Sequence, residues 1–133
     1  MKVIKYFFAL LLIILLNGCK YKQTTEPIFS ENIYVSFDIL TTFHNDSVQL
    51  ALDDKILLDS TISTNNVLSL AWSSGLQRIT RNNHILHLSL VEYKAQNYYM
   101  VDATNDTSTV LMFFDINTKQ ITFQQIKGKL KYR

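Results

Sequence analysis

The chain has 133 residues, of which 47% are hydrophobic and 18% charged, and its formal net charge is +2 at pH 7. This length suits one domain with a hydrophobic core of its own. Thirteen cations against eleven carboxylates leave no strongly basic surface, so we expect no nucleic-acid partner. The chain has a single cysteine, which excludes a disulfide within the domain.

Residues 1–18 have the three parts of a bacterial export signal. Lys2 and Lys5 give a positive start, residues 6–16 form an unbroken apolar run, and Gly18 is a small residue before a cleavage point. A run of eleven apolar residues is shorter than the about 20 residues that a transmembrane helix needs. We therefore predict a signal peptide over residues 1–18. The alternatives are an uncleaved N-terminal anchor helix and an ordinary signal peptide that leaves a free thiol.

The segment Leu16-Asn17-Gly18-Cys19 resembles the lipobox of bacterial lipoproteins. The resemblance implies that the Cys19 thiol receives a diacylglycerol, so that the partner of the N-terminus is a membrane held through covalent lipid. Mature lipoproteins carry two or three acyl chains, which anchor a protein stably where one chain does not. Lys20 is not aspartate, and by the enterobacterial sorting rule this implies the outer membrane, with the periplasmic or surface face left open.

Two further segments complete the predicted organisation. Residues 19–31 are polar, contain the only proline and are predicted to form a lipidated tether. Residues 32–133 are predicted to be all-β, as a single small antiparallel β-sandwich of immunoglobulin-like or jelly-roll-like form. Because glycine and proline are scarce, asparagine and aspartate are expected to make the turns. The polar turn clusters are residues 44–47, 53–55, 64–66, 81–83, 104–107 and 117–119.

Alternation of apolar and polar residues predicts half-buried strands with one face on the core. The expected core positions are Ile33, Val35, Phe37 and Ile39; Val48, Leu50 and Leu52; Leu68, Leu70 and Trp72; Leu86, Leu88 and Leu90; and Ile121 and Phe123. Residues 110–114 are apolar on both faces, which predicts a central strand. Residues 114–121 predict a hairpin with a loop of four or five residues. A short helix over residues 67–76 is kept open as an alternative.

The last segment predicts an edge strand with one basic face. Such a face protects an edge strand from pairing with other chains. Alternatively, it is a basic stripe that binds anionic lipid or glycan. The residues expected on the basic face are Lys127, Lys129, Lys131 and Arg133, and those expected on the other face are Leu130 and Tyr132.

The sequence contains no constellation that indicates catalysis. It lacks a Gly-x-Ser-x-Gly elbow and a glycine-rich phosphate loop, so we expect no enzyme activity, no catalytic residue and no cofactor. His84 and His87 are three apart and point to opposite faces of a strand, so they are not expected to share a metal. Asp53 and Asp54 suit a tight turn better than a calcium site completed by Asp59. A small envelope hydrolase is the remaining alternative.

Aromatic side chains are the best candidates for a binding surface. Trp72, Tyr98 and Tyr99 are the candidate residues, and adjacent tyrosines cannot both face a one-sided core. The structural alternative is that Trp72 belongs to the core and the outward tyrosine covers a neighbouring strand. Ser47 and Ser60 lie in Asp-Ser-Val and Asp-Ser-Thr, which resemble a bacterial O-glycosylation sequon.

These observations favour a lipid-anchored cell-envelope protein whose non-catalytic β-sandwich binds a glycan or a protein. The alternative is a periplasmic inhibitor or immunity protein that acts on one enzyme or toxin. Both functions require an exposed surface, for which Trp72, Tyr98 and Tyr99 are the candidates.

Overall fold

The computed structural model describes residues 31–40 and 42–132 of the chain, which form eight β-strands. The strands are β1 (Asn32–Leu40), β2 (His44–Leu52), β3 (Lys55–Ser63), β4 (Leu70–Thr80), β5 (His84–Leu90), β6 (Ala95–Val101), β7 (Thr107–Asp115) and β8 (Gln120–Lys127). Within these residues there is no helix of the length and apolar character that a membrane span requires. The predicted signal peptide, Cys19 and residues 19–30 of the predicted tether lie outside the described residues.

The strands form two four-stranded sheets that pack as a sandwich, which confirms the predicted all-β fold. The first sheet has the order β4-β1-β7-β8 and the second has the order β3-β2-β5-β6. Neighbouring strands are antiparallel except for β1 and β7, which run parallel. The sandwich therefore has β3 beside β4 along one flank and β6 beside β8 along the other.

The core lies between the sheets and is built from the alternating positions that the sequence indicates. Ile33, Val35, Phe37 and Ile39 of β1 are fully buried, as are Leu50 in β2 and the three leucines of β5. The predicted central strand is β7, which lies between β1 and β8 and is buried on both faces. Alternation works here because successive side chains of a strand point to opposite faces.

Polar residues make the turns at most of the predicted places. Asp53 and Asp54 form the two-residue turn between β2 and β3, with φ of 48° and 66°. Positive φ at both positions is the type I′ geometry, which matches the twist of the two strands. The predicted hairpin between β7 and β8 is confirmed, with a loop over residues 116–119.

One predicted turn and one candidate helix are wrong. Residues 44–47 belong to the start of β2, where Asn45 has a φ of 57° and the ladder with β3 shifts by one residue, so the cluster forms a bulge. In residues 67–76 a turn containing Ser69, with a φ of 53°, leads directly into β4. Pairing of β4 with β1 supplies the backbone partners that a helix would otherwise provide.

The predicted alternation in β4 is also wrong. Leu68 lies in the turn before the strand. The ladder with β1 shifts between Ile39 and Leu40, so that Leu70 is opposite Leu40 and Trp72 is opposite Ile39. Leu70 and Trp72 therefore face opposite sides of the sheet, because a bulge reverses the alternation.

The basic strand face predicted at the C-terminus does not form. β8 ends at Lys127, and Gly128 has a φ of 83°, a conformation that strongly favours glycine. The Thr109 hydroxyl donates a hydrogen bond of 2.8 Å to the Gly128 carbonyl, which fixes the point where the chain leaves the sheet. The segment then returns to β1, where the Tyr132 hydroxyl donates to Asp38 at 2.6 Å. Lys129 and Lys131 therefore do not extend the edge strand, and Arg133 lies outside the described residues.

Candidate functional site

The outer side of the second sheet carries a cluster of apolar side chains in solvent. Ala51 in β2 and His87 in β5 each lie between two buried leucines, so strand alternation turns both residues outwards. Cross-strand pairing places further apolar residues on the same side of the sheet. The six residues that we name the apolar face are Ile56, Ala51, His87 and Tyr98 in one row, and Ile85 and Met100 in the adjoining row.

Most of the apolar face is open to solvent. Ile56 is 56% exposed, Ile85 is 51% exposed, Tyr98 is 59% exposed and Met100 is 63% exposed. Single exposed apolar residues are ordinary, whereas a contiguous group on one sheet face marks an interaction site. The other members, Ala51 and His87, are partly covered by these neighbours.

The centre of the apolar face is an aromatic stack. The rings of His87 and Tyr98 lie with centroids 4.3 Å apart and planes 11° apart, in the register of a cross-strand pair. The His87 Nε2 atom is 3.3 Å from the Gln96 side-chain oxygen, which also holds the imidazole in place. Tyr98 is thus a pre-oriented ring that loses little rotamer freedom when a partner covers it.

A polar row borders the apolar face along the same strands. Cross-strand pairing aligns Asp59, Gln49, Ser89 and Gln96, one step from the row that contains Tyr98. These side chains offer hydrogen-bond donors and acceptors beside the apolar centre. An apolar centre with a polar rim is the usual anatomy of a protein interface.

The three aromatic residues singled out in the sequence occupy different parts of the molecule. Tyr98 belongs to the apolar face, whereas Tyr99 turns inward and stacks on Phe123 with ring centroids 5.3 Å apart. Burial raises the pKa of Tyr99, and the nearby Asp102 charge adds to the rise. Trp72 packs partly against the core from β4 in the first sheet. The structure therefore does not bring Trp72, Tyr98 and Tyr99 onto one surface.

The candidate modification sites lie on neighbouring strands. The backbone amide of Ser47 in β2 donates to both carboxylate oxygens of Glu92 at 3.0 Å, and hydrogen bonding from Ser47 lowers the pKa of Glu92. Ser60 is exposed on β3 and pairs across the strands with Val48. Cys19, the candidate lipid-attachment site, lies outside the described residues.

His84 and Asp53 form an ion pair that joins the β2–β3 turn to the start of β5. The His84 Nδ1 atom bonds to an Asp53 carboxylate oxygen, and its Nε2 atom is 2.9 Å from the Thr80 carbonyl. Burial alone would lower the pKa of His84, but the bonds to Asp53 and Thr80 and the Asp53 charge raise it overall. Burial alone would raise the pKa of Asp53, but bonds from His84 and the Ile85 amide and the His84 charge lower it.

A second polar cluster surrounds Asp38, which is 2% exposed although it lies on the outer side of β1. The hydroxyl groups of Ser36 and Ser73 donate to its Oδ1 atom at 2.7 and 2.5 Å, and the Tyr132 hydroxyl donates to Oδ2 at 2.6 Å. Burial, this hydrogen bond and the Asp38 charge raise the pKa of Tyr132 well above its usual value. The cluster fastens the C-terminal segment to the first sheet.

Neither polar cluster has the composition of a metal centre. Among residues 31–40 and 42–132, no three side chains of histidine, cysteine, aspartate or glutamate come together as a metal site requires. Asp53 and Asp54 lie in the β2–β3 turn, and Asp59 is paired with Gln49 further along β3. No protein-family model matches the chain, and no curated protein matches it in sequence.

The residues of the apolar face were largely missed in the sequence. Ile56, Ile85 and Met100 occupy positions that alternate with core residues, where a polar side chain is the usual choice. The sequence signal that could have identified them is an apolar residue at an outward-facing position on each of three strands. Only the strand order β3-β2-β5-β6 brings the three exceptions together.

Proposed function

We propose that the protein is a lipid-anchored, non-catalytic component of the bacterial cell envelope that binds another protein through the apolar face. The observation that carries this proposal is the exposure of Ile56, Ile85, Tyr98 and Met100 together on one side of the second sheet. The lipobox-like segment around Cys19 supports the location. In this proposal the anchor holds the domain at a membrane, and the apolar face is its binding surface.

The chemistry of the apolar face favours a protein over a glycan as the partner. Sugars stack on aromatic rings, and Tyr98 on His87 is the one aromatic platform of this face. The remaining exposed area comes from aliphatic and methionine side chains, which pack well against other apolar protein side chains. Tyrosine at the centre of such a face is a common hot spot of protein association.

An inhibitor or immunity protein is a narrower form of the same proposal. It requires that the partner be an enzyme or a toxin and that the complex contain one copy of each. The apolar face is a broad sheet surface. Such a surface suits association with another protein's surface better than insertion into a narrow active site. Recovery of the partner decides between a general envelope protein and an inhibitor.

The experiment is site-specific photo-cross-linking in intact cells. A photoreactive phenylalanine analogue replaces Tyr98, and the matched control carries it in place of Tyr34, which is 46% exposed on the outer side of the first sheet. We expect a discrete adduct with one protein from position 98 and none from position 34. The adduct should vanish in the Met100→Asp background, which places a charge on the face without changing the core. Equal adducts from both positions would contradict the proposal.

A further inference from the structure

The two flanks of the sandwich differ in how the sheets meet. Along the β6–β8 flank, the Asn97 side chain donates to the Ile121 carbonyl at 2.8 Å, and the Gln125 side chain donates to the Asp102 carbonyl at 2.6 Å. The Tyr99–Phe123 stack fills the space between these bonds. Along the β3–β4 flank, two adjoining hollows of about 300 and 290 Å³ separate the strands. The β6–β8 flank is thus closed and the β3–β4 flank is open.

The two hollows form one continuous slot, because Lys55, Leu57 and Gln77 line both of them. Trp72 lies in one hollow and Arg78 in the other. Leu57 and Trp72 give the slot apolar walls, and the Gln77 side chain adds a polar group that donates at 2.9 Å to the Ser74 carbonyl. The slot thus combines an aromatic side chain, an amide and two cations.

Among the described residues, the two cations of the slot have no carboxylate partner. Asp53 and His84 also line the slot, but the Asp53 carboxylate is already bonded to His84. Within residues 31–40 and 42–132, neither Lys55 nor Arg78 has a carboxylate within ion-pair distance. A ligand that supplies carboxylates would therefore find charge-complementary partners in this slot.

Both strands that border the slot are irregular beside it. Leu57 is an extra residue in the ladder of β3 with β2, and β4 bulges at Ser74 and Gly75 in its ladder with β1. Gly75 has a φ of 63°, which breaks the extended conformation of β4. Bulges prevent the addition of another strand to a sheet edge, so an extended peptide has no regular edge to pair with.

We propose that the slot between β3 and β4 binds an acidic oligosaccharide. A sugar ring stacks on Trp72, the Gln77 amide bonds to hydroxyl groups, and Lys55 and Arg78 bind the carboxylates. This site lies on the flank of the sandwich and shares only Ile56, which lines one of the hollows, with the apolar face. The proposal therefore stands or fails separately from the proposed protein partner.

Trp72 is the only tryptophan of the chain, so its fluorescence reports directly on the slot. The full-length protein in non-ionic detergent is titrated with a galacturonate hexamer and, separately, with the fully methyl-esterified hexamer, which lacks the charges. We expect a saturable fluorescence change with the acid and at least tenfold weaker binding of the ester. Lys55→Gln and Arg78→Gln should each weaken binding of the acid about tenfold.

The matched control is Lys127→Gln, which removes the same charge from β8 on the closed flank and should leave binding unchanged. The Tyr98→Ala variant should also bind the acid normally. No saturable change with the acid would overturn the proposal. If Lys127→Gln weakened binding equally, the acid would be held by diffuse charge attraction and not by the slot. If a hexaglutamate peptide bound more tightly than the galacturonate hexamer, the ligand of the slot would be an acidic peptide and not a glycan.

Discussion

Removal of the Tyr132 hydroxyl tests how the C-terminal segment is held. In Tyr132→Phe the ring is kept, but the Oδ2 atom of Asp38, a residue that is 2% exposed in the structure, loses a donor at 2.6 Å. A hydrogen bond to a buried charged group contributes about 1.5–3 kcal/mol, so we expect the free energy of unfolding to fall by about 2 kcal/mol. For a domain of this size that corresponds to a fall in Tm of about 10 °C.

The measurement is urea unfolding followed by circular dichroism, which gives the free energy and the m-value together. The control is Tyr34→Phe, which removes the hydroxyl of an exposed tyrosine and should change the free energy by less than about 0.5 kcal/mol. A double-mutant cycle with Asp38→Asn should show coupling between the two side chains. If Tyr132→Phe is as stable as the control, the C-terminal segment is not held by its bond to the Asp38 carboxylate.

Three further predictions concern other parts of the chain. Asp53 and Thr80 raise the His84 pKa above its usual 6.5, so this ion pair stabilises the fold below that pH and the benefit is lost as the pH rises through the raised value. The lowered pKa of Asp53 keeps its contribution present above pH 3.8, and acid removes it. Because the His84 contribution is lost above pH 6.5, His84→Gln should flatten the pH dependence of the Tm above that pH. Gly75→Ala meets no neighbouring atom within 4 Å but keeps a φ of 63°, so unfolding in urea should show a loss of about 1–2 kcal/mol from backbone strain alone. Cys19→Ala should move the protein out of the membrane fraction in cell fractionation, and unchanged retention would argue against lipid attachment.

Strict alternation made most of the sandwich predictable from the sequence. In β1 and β5 each core residue is followed by one facing outward, and no bulge interrupts the core face. The same principle failed in β4 because its ladder with β1 shifts twice. A bulge depends on which strand lies alongside, and that information is absent from the pattern of one strand.

The candidate surfaces were less predictable because both depend on strand order. Ile85 and Met100 belong to different strands and become neighbours only through the pairing of β5 with β6. Trp72 and Lys55 belong to different sheets and meet only across the open flank. Aromatic composition drew attention to individual residues, but their grouping required the register and the packing of the sheets.

The position of the proposed anchor relative to the apolar face limits where a partner lies. The Arg81 amide donates to the Glu31 carbonyl at 2.7 Å, so the chain enters the sandwich at the end that carries the β4–β5 loop. Ile85 and Met100 lie at this same end, one residue from the start of β5 and the end of β6. A fully extended tether over residues 19–31 reaches at most about 45 Å. With lipid on Cys19, this reach would keep the apolar face close to the membrane, which favours a partner that is itself bound at the membrane surface.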